Sequence, residues 1–271
     1  MATEVWIAKR QHTCSMEDKI LRHGAYLFLR LHVSKRAIAI PQLAQRYGLT
    51  NEFEADGRHP DRAIAFLRKV EAMAGNIDDR SLSHADAVVH VAAECADIVR
   101  AFCVEASEMF GPNVRIRSGV VRPTLYTGGA MQQFAYENQV RQQSGNTMPH
   151  VFLVPMCKTS EWWAKDWMER HTYFLPRYNW RGAKLKDGHA LAAAPGIPHL
   201  YRRTYKHQVM PAPQGEYDFL NYFECADSGV PIFHEVCAAL RDQRRNPEWH
   251  FVREGPTWRG HRASTWAELF D

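Results

Sequence analysis

Apolar residues along this chain fall into short continuous runs and helical stripes, and the sequence of runs and stripes occurs twice. Residues 25–33 (AYLFLRLHV) form an apolar run suited to a buried strand. Residues 61–74 (DRAIAFLRKVEAMA) read as a helix beginning near Asp61, which can cap it. The stretch from Ala85 to Val91 reads as a strand. Ile98, Val99, Phe102, Ala106 and Phe110 then share one face at helical spacing. In the second half, residues 150–156 (HVFLVPM) are strand-like and lead through Ser160 into a helix near Glu161. Residues 217–223 (YDFLNYF) are rich in strand-forming aromatics, and Phe233, Val236, Cys237 and Leu240 line a further helix. A closing strand is expected over 249–253.

The tetrapeptide Glu94-Cys95-Ala96-Asp97 recurs 130 positions later as Glu224-Cys225-Ala226-Asp227, each time between a strand pattern and a helix pattern. Strand–helix–strand–strand–helix–strand, read twice, predicts an α+β fold of tandem ferredoxin-like halves that pack sheet to sheet as one barrel. The expected division is a first half over 1–126, a polar connector over 127–149 and a second half over 150–271. A single irregular α+β domain is the alternative. Residues 179–198 and 209–215, rich in Gly, Pro and Ala, are expected to be loops.

Composition narrows the classes. With 271 residues, 45% apolar and 24% charged, the chain matches a globular protein and excludes collagen-like and disordered readings. No run approaches the ~20 apolar residues of a membrane helix. A net charge of +4, from 34 basic and 30 acidic residues spread evenly, does not point to nucleic acid. The six cysteines show no CxxC spacing and mostly lie in apolar runs, which predicts free thiols and a cytoplasmic location.

No HExxH, GxGxxG, GxxxxGK[ST] or GxSxG motif is present among these residues. The densest aromatic and basic stretch is 158–181, where Trp162, Trp163 and Trp167 are followed by His171 and Tyr178. Two readings are open there. The indoles form core with a polar histidine beside them, or they flank a planar apolar cofactor whose metal takes one imidazole, as haem does.

These residues resemble the chlorite dismutase family of haem enzymes, which also includes bacterial coprohaem decarboxylases. The resemblance runs through Phe152 to Lys158, Glu161-Trp162-Trp163, Glu169-Arg170-His171, Tyr217 to Glu224 and Trp249 to Thr257, covering most of 150–260. It implies a haem b (iron) cofactor in the second half, with His171 as the proximal iron ligand and Trp162 and Trp163 beside the porphyrin. It further implies Lys158 near a propionate, Tyr178 at the family's offset, and a carboxylate on the proximal imidazole, for which Glu248 stands nearest. The family's distal arginine falls at Lys184 by offset from His171. Alignment on the strand before the hairpin makes it Arg202, with Arg203 next and His207 and Gln208 close by.

The implied reaction is chlorite to chloride and dioxygen through an oxoferryl species. The alternative is a related haem enzyme acting on an organic N–O or peroxide substrate, as in aldoxime dehydratases, and a haem carrier or sensor is a third reading. Decarboxylase members use a tyrosine where this chain has Val154, which disfavours that chemistry. The resemblance also implies a homo-oligomer, pentameric or dimeric.

Overall fold

The computed structural model describes residues 22–31, 40–51, 62–121 and 148–270. The first half contains strand β1 (Arg22–Leu29), helix α1 (Ile40–Arg46), β2 (Thr50–Asn51), β3 (Arg62–Met73), α2 (Arg80–Ser83), β4 (Ala87–Ala93), α3 (Ala96–Phe110) and β5 (Val114–Val121). The second contains β6 (His150–Lys158), α4 (Ser160–Ala164), α5 (Trp167–Thr172), β7 (Arg177–Tyr178), β8 (Lys184–Lys186) and α6 (Gly188–Ala193). It continues with β9 (Tyr201–Lys206), β10 (Phe219–Cys225), α7 (Gly229–Arg241), β11 (Val252–Glu254) and β12 (Thr257–Ala263). Most of the expected connector, and Cys14 and Asp61, lie outside the described residues.

The strand pairings are antiparallel in the order β5-β1-β4-β3 in the first half and β9-β10-β6-β12 in the second. β3 pairs with β12 over most of its length, and β5 meets β9 where Val120 faces Lys206. Following the pairings therefore leads around a closed circuit, which leaves the eight long strands with few free edges.

Residues on one face of the strands point inside this circuit. Tyr26, Phe28, Leu67, Val88, Leu153, Tyr205, Tyr222 and Trp258 form that interior core. The opposite face of the first half packs under α1 and α3 through Leu27, Ile40, Leu43, Phe66 and Phe102. The outer face of the second half carries Phe152, Val154, Leu200 and Cys225 against Phe233 of α7. Strand alternation thus separates an interior from two helix-covered faces. Gly24 is needed inside, because a Cβ there would lie 2.3 Å from the Tyr205 ring.

Both copies of the repeated tetrapeptide sit where a strand hands over to a helix, β4 to α3 and β10 to α7. The stripe from Ile98 to Phe110 is the buried face of α3, and Phe233 and Val236 are buried on α7.

The segment 61–74 differs from expectation: it is the twelve-residue strand β3 over its described part, not a helix. Ala63 to Leu67 are all buried, because β3 is central, with β12 and β4 on its edges and core on both faces. Ladder pairing and two-sided burial outweigh the helix propensity of Ala, Leu, Arg and Glu. The first-half helix over the sheet is α1 instead. Near the C-terminus, residues 247–251 form a 3-10 turn, so only the end of the strand expected over 249–253 is extended, as β11, and β12 follows it as the last strand. The 179–198 segment is not all loop either, since it holds β8 and α6. The five described cysteines are unpaired; Cys95 and Cys225 are buried and the other three half-buried.

Trp258 is fully buried in the interior, with its indole N–H donating to the Ala85 carbonyl at 3.2 Å. Trp258→Ala is expected to lower unfolding stability by about 3–5 kcal/mol through the cavity it leaves. Denaturant unfolding of the variant beside wild type checks this.

Candidate functional site

A buried ionic relay lies at the end of β6. Lys158 closes that strand, and its backbone N–H donates to Asp218 at 2.6 Å. Its ammonium pairs with Glu248 and lies 4.3 Å from the centre of the Trp162 ring. The second oxygen of Glu248 meets Nδ1 of His189 at 2.6 Å. Both oxygens of one buried carboxylate are therefore occupied, one by a cation and one by an imidazole.

Three separate elements converge to make this relay. Glu248 belongs to the 3-10 turn Pro247–Phe251, and Asn246 before it is anchored through its amide to the Leu240 carbonyl of α7 at 2.9 Å. His189 is the second residue of α6. Gly188 precedes it with φ +62°, and a Cβ there would lie 2.4 Å from the Leu175 carbonyl oxygen, so a glycine is required. Asp187 clamps the helix start: its carboxylate pairs with Lys184 and Arg245, each at 2.6 Å, and its backbone N–H reaches the Arg245 carbonyl. The Lys184 hydrogen bond, with Arg245, holds the Asp187 carboxyl below its usual range.

The electrostatics follow from burial. Desolvation alone would raise Glu248, but Lys158 and His189 overcome it and hold the carboxyl at about 2. Burial pulls the Lys158 ammonium below its ordinary range, opposed by Glu248 and Asp218. An ionised Glu248 can only accept, so Nδ1 of His189 carries the proton that it donates. In neutral imidazole this leaves the Nε2 lone pair available. Nε2 makes no hydrogen bond among the described residues, and the ring is 16% exposed. The relay thus presents one oriented imidazole nitrogen backed by a carboxylate, the arrangement of a metal-binding histidine.

Trp162 is fully buried among Tyr173, Phe174 and Phe251, with ring centres 5.6–5.9 Å away. Its indole N–H is buried and makes no hydrogen bond among the described residues. Trp163 is half-buried and donates to Asp218 at 3.3 Å.

Lys158, Trp162, Trp163 and Glu248, named from the sequence, come together here. The imidazole on Glu248 is that of His189, and His171 lies in the last turn of the short helix α5, partly exposed. Tyr178 sits on the β7–β8 hairpin and is 55% exposed, apart from the relay. The carboxylate therefore backs a different histidine from the one expected.

The sequence contained a signal for His189. Lys184, the offset position from His171, is 13 residues on (184 − 171). The same 13 counted from His189 reaches Arg202, the residue that strand alignment selects independently. The family's Tyr178 offset of 7 residues (178 − 171) falls on Gly196 when counted from His189, and is not met there.

Arg202 and Arg203 point to opposite faces of β9. Arg203 is buried in the interior and donates to the Tyr201 and Tyr205 hydroxyls at 2.7 and 3.2 Å. Arg202 shares the outer face, opposite Phe223, which in turn is opposite Phe152. Alongside them, Thr204 donates to Asn221 at 2.8 Å and Asn221 to the Val154 carbonyl at 3.3 Å. Val154 is buried on that face. No three His, Cys, Asp or Glu side chains among the described residues are placed to hold a bare metal ion.

No family model and no curated protein matches this chain. Solved structures do. A variant of chlorite dismutase from Candidatus Nitrospira defluvii superposes with a TM-score of 0.61 at 18% identity, covering 92% of this chain and 93% of that one. This chain has the chlorite dismutase fold. The same enzyme in complex with imidazole gives 0.60 at 19% identity over 92% and 93%. A variant in complex with cyanide gives 0.59 at 18% over 92% of each chain. No helix among the described residues is long and apolar enough to cross a membrane.

Glu248 is held near 2 in the fold against an ordinary 4.5. A depressed carboxylate stabilises the fold fully above its unfolded value and loses that contribution as pH falls towards the folded value. Unfolding stability should therefore drop between about pH 5 and 2, and Glu248→Gln should flatten that slope. Urea titrations across this range measure it. Lys158→Met, which strands the carboxylate, should cost about 3–5 kcal/mol.

Proposed function

We propose that this chain is a haem b enzyme of the chlorite dismutase type that converts chlorite to chloride and dioxygen, with the iron held by His189 rather than His171. The observation that carries it is the buried Lys158–Glu248–His189 relay on a fold shared with chlorite dismutases. The residues fit the cofactor in three respects: an imidazole whose outer nitrogen makes no hydrogen bond among the described residues, a buried indole N–H with no acceptor among them, and aromatic side chains packed around both. When bound, haem supplies a redox-active iron with a coordination position open to a small ligand.

The protein's own groups act as follows. Glu248 keeps the Nδ1 proton of His189 in place and makes the imidazole more electron-donating. Lys158 balances the carboxylate charge, so that the relay is held rigid without a net buried anion. Arg202, across the outer face, supplies a fixed cation that binds anionic chlorite and retains charged species during turnover. Arg203 keeps the interior hydroxyls in place and takes no part. Chlorite contains both product oxygens and the chloride, so the overall reaction balances with no further reductant.

Within this reading the two four-strand halves are tandem ferredoxin-like units. The chain works in the cytoplasm as a homo-oligomer.

Absorption titration with haem tests the assignment. Wild type and His171→Ala should give the same saturating Soret band, and His189→Ala should lose or shift it. Glu248→Gln should weaken haem affinity or turnover about 10–100-fold. Arg202→Ala should cut oxygen evolution from chlorite about 10²–10³-fold with the Soret band intact. Loss of the band in His171→Ala but not in His189→Ala overturns the ligand assignment. A haem-loaded wild type that evolves no oxygen overturns the chlorite reaction and leaves the haem assignment standing.

A further inference from the structure

The β7–β8 hairpin stands apart from the main sheet as a two-stranded ribbon of its own. Of the nine large apolar side chains exposed among the described residues, six fall between Trp167 and Leu185, so this exposure is concentrated rather than scattered. On the hairpin they are Tyr178, Leu185 and, at the tip, Trp180, which is 87% exposed. Between Leu175 and Lys186 the chain also carries Arg177, Arg181, Lys184 and Lys186 and no aspartate or glutamate.

The hairpin is held in place by specific bonds. The Asn179 side chain accepts from the Arg181 and Ala183 backbone N–H groups, each at 2.9 Å, and the Gly182 N–H reaches the Asn179 carbonyl at 3.0 Å. Lys184 to Asp187, Lys186 to the Arg244 carbonyl and Arg177 to the Thr172 hydroxyl fasten the base. A hairpin with strands this short is marginal at best by itself in water, so these ties keep Trp180 presented to solvent. The Arg181 guanidinium lies 4.5 Å from the centre of the Trp180 ring. Arg177 and Arg181 are exposed, and neither pairs with a carboxylate among the described residues.

An indole, a phenol and a leucine interleaved with guanidinium groups on one projecting hairpin match the boundary between headgroups and acyl chains of an anionic bilayer. A second copy of this chain fits poorly, because a two-fold contact through the hairpin would set Arg177 and Arg181 against their own copies. A single-stranded nucleic acid would engage the arginines and Trp180 but would leave Leu185 in water. We propose that the β7–β8 hairpin docks this protein on an anionic phospholipid surface, with Trp180 and Leu185 inserted and Arg177 and Arg181 among the lipid phosphates. Docking of this kind needs no spanning helix. Lys186 precedes His189 by three positions (189 − 186), so docking sets the relay beside the lipid surface.

The experiment is co-sedimentation of the full chain with vesicles of equal parts phosphatidylglycerol and phosphatidylcholine, beside vesicles of phosphatidylcholine alone. Wild type should sediment with the anionic vesicles, less so as salt rises, and bind the neutral ones far more weakly. Trp180 and Arg181 are exposed, so replacing them leaves the fold intact. Trp180→Ala should weaken vesicle binding about tenfold, through the apolar area no longer inserted. Arg181→Gln should weaken it about fivefold, the ~1 kcal/mol that one basic residue contributes at an anionic surface. Arg100→Gln, which removes an exposed cation from α3, should leave binding unchanged. No binding to anionic vesicles, equal binding to both compositions, or wild-type binding by Trp180→Ala overturns the inference. So does an oligomer that Trp180→Ala breaks in sedimentation velocity while vesicles are not bound, which assigns the hairpin to a second copy. Binding of polyuridylate with no binding of vesicles also overturns it and assigns the hairpin to nucleic acid. His189→Ala should bind vesicles as wild type does, so this inference and the haem assignment fail separately.

Discussion

A carboxylate that is almost entirely removed from water must find partners for both oxygens, and in this protein that requirement organises the second half. Glu248 satisfies it with Lys158 from the end of β6 and His189 from the start of α6. Leaving either oxygen bare would cost several kcal/mol, so the strand end, the 3-10 turn and the short helix are tied to one another's positions. Gly188 and the Asp187 clamp then decide where the imidazole stands. A helix of six residues has little stability of its own, and these contacts hold it.

The closed circuit of strands serves the same end by another route. It places Arg203 inside and Arg202 outside, through the two-residue period of β9. The interior is already furnished with hydroxyls and a histidine that keep Arg203 satisfied; Tyr205, for example, meets His90 at 2.9 Å. An arginine buried there needs those partners, whereas its neighbour lies on the outer face, which α7 covers through Phe233. One strand thus carries one arginine into the interior and the next onto the outer face.

Legibility in the sequence followed how local each signal was. Helices α3 and α7 were readable because their buried faces repeat at helical spacing, and β6 and β10 because their apolar and aromatic runs are short and bounded. β3 was misread because its Ala-, Leu- and charge-rich composition favours helix in isolation, and only its two neighbours make it a strand. Lys158, Trp162 and Glu248 stood out by residue type and resemblance. His189 did not, because it sits in a Gly/Ala/Pro-rich segment without period, and the end of α5 and the hairpin place it 18 positions after His171 (189 − 171).

The linear order of residues by itself determined the α+β alternation, the internal repeat at 130 positions, and the aromatic and basic stretch in which to look for a cofactor. These depend on spacing and composition, which the chain carries wherever it folds. Tertiary structure decided which histidine the buried carboxylate touches and which of two adjacent arginines faces outward. Each of those is a pairing between groups tens of residues apart. Such pairings are chosen by the cost of burying an unmatched charge, and that cost exists only once the chain has closed around it.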